Sequence, residues 1–149
     1  MGILENPDEY YMQAALREAR AAMDEDEIPI GAVIVDASGS IIARAHNQTE
    51  RLHDVTAHAE MLAFTSASEA LGAKYLPDCT LYVTVEPCPM CAGAAGWTQV
   101  GRIVYGAPDP KRGFSLLKGP VLHPKTEVHA GVLADECASL MKEYFKKKR

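Results

Sequence analysis

Apolar residues near the start of the chain recur at helical spacing and then give way to continuous runs, and that change of period separates helix from strand. Tyr11, Ala15, Ala19, Ala22 and Met23 form one stripe behind Asn6-Pro7-Asp8-Glu9, with Asn6 suited to cap and Pro7 to the first turn. A first helix is therefore predicted to run to about residue 26. Pro29 closes that region. Residues 30–35 and 41–45 are apolar runs joined by Asp36-Ala37-Ser38-Gly39-Ser40, the pattern of a hairpin. Thr56 is placed to cap a second helix through Leu71, with Gly72 just past its end. Residues 80–85 predict a third strand, 90–97 a third helix, and 102–105 and 127–130 two more strands. Residues 134–147 predict a last helix with Cys137, Leu140, Met141 and Tyr144 on its inner stripe. Strands alternating with helices predict an α/β protein: a three-layer α/β/α sandwich around a five-stranded mixed sheet, with ligands at the carboxyl ends of strands.

Length and composition narrow this picture. The 149 residues are 48% apolar, enough for one core, so residues 1–149 are expected to form one domain. Residues 106–126 join two strands, contain Pro108, Pro110, Pro120 and Pro124, and are too long for a simple connector, which predicts a substrate lip. No stretch approaches eighteen uninterrupted apolar residues, and no basic region precedes an apolar run at the N-terminus. Neither a membrane span nor a signal peptide is expected, and the expected location is the cytoplasm. Four cysteines are too few for a disulfide framework, and Cys79 and Cys137 read as small buried hydrophobes. The net charge is -5, unevenly spread. Residues 1–100 hold 5 basic and 15 acidic side chains, hence -10, and residues 101–149 hold 10 and 5, hence +5. Lys142, Lys146, Lys147, Lys148 and Arg149 crowd the C-terminus, either as a solubilising tail or as a local surface for phosphates.

The candidate chemistry lies in His58-Ala59-Glu60 and Pro87-Cys88-Pro89-Met90-Cys91. His58, Cys88 and Cys91 are three soft ligands for zinc, whose tetrahedral preference leaves a fourth position for water. Zinc lowers the pKa of such a water to about 7, and Glu60, not needed as a ligand, is free to carry protons. Two other readings compete. A lone Cys-x-x-Cys can be a redox pair, but that chemistry does not need a His-x-Glu about thirty residues upstream. A closed structural zinc site needs a fourth ligand, and Cys79, Cys137, His53, His123 and His129 form no second paired motif. Residues i and i+2 do not share a helix face, so His58 and Glu60 can serve one site only from the end of a helix. The cysteines open another helix, whose unpaired N–H groups favour thiolate.

The His-x-Glu and Pro-Cys-x-x-Cys pair resembles the signature of the cytidine deaminase-like zinc deaminases. Along nearly the whole chain, Pro29-Ile30-Gly31-Ala32-Val33, Asn47, Thr56-Ala57-His58-Ala59-Glu60, Leu81 through Cys88, Met90-Cys91-Ala92-Gly93-Ala94, Asp109, Lys111 and Gly131-Val132-Leu133-Ala134-Asp135-Glu136-Cys137 resemble the bacterial tRNA-specific adenosine deaminases. The resemblance implies hydrolysis of adenosine to inosine at the wobble position of a tRNA anticodon loop, by a homodimer with one Zn2+ per subunit. It implies that Glu60 moves protons, Asn47 hydrogen-bonds the flipped base and Ile30 lines its pocket. Asp109 and Lys111 would meet neighbouring nucleotides, and Phe145 with the lysines after it would lie along the RNA. Read without the resemblance, Asn47 and Asp109 serve turns and Phe145 belongs to a core stripe. Gly96 departs from the family, which usually has a bulky residue there; Gly costs about 1 kcal/mol relative to Ala, which predicts a locally loose helix. Pro108 also departs, and Trp97 with Glu86-Pro87-Cys88-Pro89-Met90-Cys91 is similar to guanine deaminases as well. Two alternatives therefore stay open: a free guanine or cytosine deaminase, and a noncatalytic zinc-stabilised RNA-binding subunit. Glu60 argues against the second, which has no chemical need for it.

Overall fold

The computed structural model describes residues 6–148. Four α-helices, α1 (Pro7–Asp24), α2 (Ala59–Leu71), α3 (Pro89–Thr98) and α4 (Ala134–Lys147), alternate with β1 (Gly31–Val35), β2 (Ile41–His46), β3 (Thr80–Val85), β4 (Arg102–Ala107) and β5 (Glu127–Ala130). The strands form one sheet in the order β2-β1-β3-β4-β5. Strand β1 is antiparallel to both neighbours, with Gly31 opposite His46 and Ala32 opposite Val83, while β3, β4 and β5 are parallel.

Alternation along each central strand builds two cores. Ala32, Ile34, Leu81, Val83, Ile103 and Tyr105 face one way, against Ala59, Ala63, Phe64 and Ala67 of α2 and Ala95 of α3. Val33, Val35, Tyr82 and Val104 face the other way, against Met12, Ala15 and Leu16 of α1 and Cys137 of α4. Both faces are covered, so β1 is buried throughout and β3 and β4 are buried at every position after the first. The result is the expected three-layer α/β/α arrangement. Cys79 and Cys137 are both buried, and burial pushes the Cys137 thiol up to about 12. One polar clamp ties the layers together: Asp8 of α1 accepts two hydrogen bonds from the Arg102 guanidinium, at 2.9 and 2.7 Å, and one from the Tyr82 hydroxyl at 2.7 Å.

Strand direction determines where a site can form. Because β1 alone runs against the others, its start and the ends of β2, β3 and β4 lie on one edge of the sheet. Ile30, Asn47, Cys88 and Asp109 follow or precede those strand ends and are gathered there, although they are scattered along the sequence.

Several local expectations need correction. Helix α1 ends at Asp24, and β4 continues to Ala107. Thr56 does not cap α2: its hydroxyl donates to Asp54 at 2.7 Å, and His58 is the N-cap. Helix α3 continues unbroken through Gly96, where Val121 approaches so closely that a side chain would collide with its carbonyl. Glycine there serves a close approach and does not loosen the helix. Arg149, part of the basic tail, lies outside the described residues. Among the described residues, no helix is long and apolar enough to cross a membrane.

Candidate metal centre

Helices α2 and α3 bring their N-termini to the same place, and the residue at each N-cap supplies a donor atom. His58 caps α2 and Cys88 caps α3, both with extended backbone and neither using its side chain to cap. Cys91 lies in the first turn of α3, which Pro89 opens without the loss of a needed N–H. His58 Nδ1 is 3.6 Å from Cys88 Sγ and 3.5 Å from Cys91 Sγ, and the three donor atoms lie within 4.8 Å of one another. Tetrahedral zinc with bonds of 2.0–2.1 Å to nitrogen and 2.3 Å to sulfur needs N···S separations of about 3.5 Å. The donors therefore fit zinc in both chemical type and spacing.

The protons of the cluster follow from its packing. The Cys88 thiol is lowered to about 4, chiefly by the hydrogen bond from Cys91 and then by His58. Cys91 is shifted upward by the same bond and by burial. The hydrogen bond to Cys88 raises His58. A metal cation would displace these protons. Glu60, in the first turn of α2, is 4% exposed, and burial raises its carboxyl to about 7. It interacts with the Cys91 thiol but is not one of the three clustered donors. A carboxyl that titrates near neutrality beside an open metal position can both accept and return a proton.

Two loops border this centre. Asn47, 4% exposed, follows β2 and donates its N–H to the Ile30 carbonyl at 3.1 Å, while Gln48 pairs with Ala57 beside His58. Asn47, Ile30 and the ligands are therefore assembled together. Asp109 opens the second loop, where Oδ1 accepts the N–H groups of Lys111 and Arg112 at 3.0 Å each. That oxygen serves a turn, and the Lys111 side chain stands exposed on the lip. Phe145 is 43% exposed on α4, in the helix layer opposite the ligands, and stacks edge-on against Tyr144. It is not part of the ligand cluster. Lys147 and Lys148 are paired with Glu143 and Asp26, so part of the basic tail is already neutralised.

Sequence reasoning missed two buried acids that shape these loops. Glu27, 1% exposed, accepts the N–H groups of Glu50 and Arg51 at 3.0 and 2.8 Å and so holds the loop leading to His58. Glu86, 4% exposed, does the same for the second loop. The available signal was weak: an acid directly after an apolar strand, in Val85-Glu86.

Residues 5–107 match the family described as the cytidine and deoxycytidylate deaminase zinc-binding region. The tRNA-specific adenosine deaminase of Bacillus subtilis (strain 168) is 47% identical over 147 residues, covering 95% of this chain and 91% of that protein. A solved structure from work on A-to-I editing by tRNA:A34 deaminases at the wobble position of transfer RNA is 45% identical, with a TM-score of 0.82 over 88% of this chain and 98% of its own. Guanine deaminase from Nitrosomonas europaea is 28% identical, with a TM-score of 0.80 over 96% of this chain and 86% of its own.

Proposed function

This chain belongs to the zinc-binding cytidine and deoxycytidylate deaminases and, within them, to the tRNA-specific adenosine deaminases; we propose from that premise how its own residues carry out the reaction. The activity is hydrolytic deamination of adenosine to inosine at the wobble position of a tRNA anticodon, with Zn2+ as cofactor. The observation that carries this reading is the buried Glu60 beside three donors spaced for zinc.

His58 Nδ1 and the sulfurs of Cys88 and Cys91 would hold the metal, one per subunit. When bound, zinc supplies a Lewis acid that brings the pKa of water to about 7. Glu60 takes a proton from the attacking water on its carboxylate and delivers it to the ring nitrogen N1 as the C6–O bond forms; it then takes the proton of the new C6 hydroxyl and passes it to the amino group, which leaves as ammonia when the C6–N bond breaks. Asn47 hydrogen-bonds the base and Ile30 borders it, both fixed by their shared backbone hydrogen bond. Asp109, Lys111 and Phe145 are proposed to meet the flanking RNA. Unpaired anticodon bases reduce the extrusion cost of a few kcal/mol that a duplex imposes.

The chain acts as one domain, as a homodimer, in the cytoplasm where it meets tRNA. The homodimer is supported by Val55, beside the site, and Trp97 on α3, apolar side chains 83% and 84% exposed. Sedimentation of the purified protein tests it. The experiment for the activity is inosine formation in an anticodon stem-loop with a wobble adenosine, run beside Glu60→Ala and beside free guanine, cytosine and adenine. Inosine that disappears in the variant supports the reading; ammonia from a free base without inosine moves the assignment to a small-molecule deaminase. Binding of RNA with neither product leaves the noncatalytic subunit.

A further inference from the structure

We infer that Glu86 is a positioning residue, holding residues 109–115 as a preformed lip whose Lys111 and Arg112 receive the phosphates flanking the target nucleotide. The inference rests on the RNA substrate proposed above. Glu86 leaves the end of β3 two residues before Cys88 and is 4% exposed. Its hydrogen-bond donors all come from the lip. Oε1 accepts the Asp109 N–H at 3.0 Å, and Oε2 accepts the Ser115 N–H at 2.9 Å and the Ser115 hydroxyl at 2.6 Å. Gly113 lies between them, where a Cβ would overlap the Glu86 carboxyl. The Phe114 N–H adds a bond to the Pro87 carbonyl at 2.9 Å, directly before Cys88.

Positions 109, 113 and 115 thus close around a single carboxyl group. Burying one is costly unless donors satisfy it, and a well-packed apolar side chain would serve mere stability as well. What a carboxylate adds is a defined loop conformation. With the Asp109 amide pinned, the Asp109 carboxylate caps the N–H groups of Lys111 and Arg112, and both cationic side chains stand exposed at the rim of the site. Two cations on a fixed turn suit successive phosphates of a single strand. Glu86 does not belong to the donor cluster, so its effect passes through the lip.

Glu86→Gln keeps the volume but sets an amide N–H against a backbone N–H. Gly113→Ala separates the lip from the carboxyl without touching the strand, and Ser115→Ala removes one donor. Four quantities are measured on the zinc-loaded protein: amide exchange at Asp109 and Ser115, KM and kcat for inosine formation in the stem-loop, and zinc per chain. The expected result for Glu86→Gln and Gly113→Ala is faster exchange and a KM raised about tenfold, the equivalent of one missing hydrogen bond to a charged group. Zinc content and kcat stay near those of the parent, which a general loss of structure would not allow. Ser115→Ala gives a smaller rise. An unchanged KM in both larger variants overturns the inference, as does a loss of activity that only follows a loss of zinc. Should Glu86→Gln fail to fold, Gly113→Ala and Ser115→Ala decide. If the parent protein forms no inosine, the functional reading fails separately, and unchanged exchange at Asp109 and Ser115 would then also remove the anchor.

Discussion

The carbonyl oxygen of Val121 lies 2.5 Å from where a Cβ on residue 96 would stand, so Gly96 is the seat on α3 for the far end of the connection between β4 and β5. Ala in a helix gains about 1 kcal/mol over Gly, but overpacking costs about 1–3 kcal/mol, and a backbone carbonyl cannot rotate away as a side chain can. The overpacking term wins. Gly96→Ala is expected to lower Tm in thermal denaturation of the zinc-loaded protein; a higher Tm would show that the connection lifts without cost.

Glu60→Gln preserves shape while removing the proton carrier. Inosine formation should fall by about 10²–10⁴-fold, the usual contribution of general acid–base catalysis, with zinc content unchanged. Single-turnover rates paired with metal analysis test this, and a variant within tenfold of the parent would assign proton transfer to another group.

Zinc removal should abolish activity and lower Tm, since the ligands stand at the N-terminal ends of two helices packed on one core and the metal would tie those ends together. Activity should return to the chelated parent on adding Zn2+ but not to Cys91→Ser. Full activity retained in strong chelator would contradict a metal-dependent site.

Asp8 carries a pH dependence of known sign. The hydrogen bond from Arg102, with that of Tyr82, holds its carboxyl below the usual carboxylate range. The stabilisation is therefore complete above the unfolded pKa of about 3.9 and is lost as pH falls through the lower folded value. Asp8→Asn should cost about 1 kcal/mol at pH 7, measured by urea denaturation, and much less at a pH below the folded value. An equal cost at both pH values would mean that shape matters more than charge.

Deleting residues 146–149 should weaken RNA binding and flatten its salt dependence by about 0.7 in log–log slope for each phosphate no longer neutralised. The pairing of Lys147 with Glu143 and Lys148 with Asp26 keeps the change below that of four free cations. Zinc content should not change. An unaltered slope would assign the tail to solubility alone.

The sequence by itself determined the elements and the inventory of chemistry. Continuous apolar runs identified strands buried on both faces, helical stripes identified α1 and α4, and the two short motifs named His58, Glu60, Cys88 and Cys91 because few other chemistries need those residue types together. These signals are local: each is complete within a few residues, where backbone period and ligand type are fixed.

Only the tertiary structure decided which loops meet and how they are held. The reversal of β1 puts Ile30 and Asn47 on the same sheet edge as the cysteines, a consequence of strand direction that no local pattern carries. Helix α2 begins only at Ala59, so His58 and not Thr56 occupies its N-cap, and the Thr56 hydroxyl turns to Asp54 instead. Glu27, Glu86 and Gly96 owe their roles to partners 23 to 29 residues away, which pair with them only when the sheet and the two helix layers have closed. An acid or a glycine in a sequence looks the same whether its partners are water or the backbone of a distant loop, and packing alone makes that distinction.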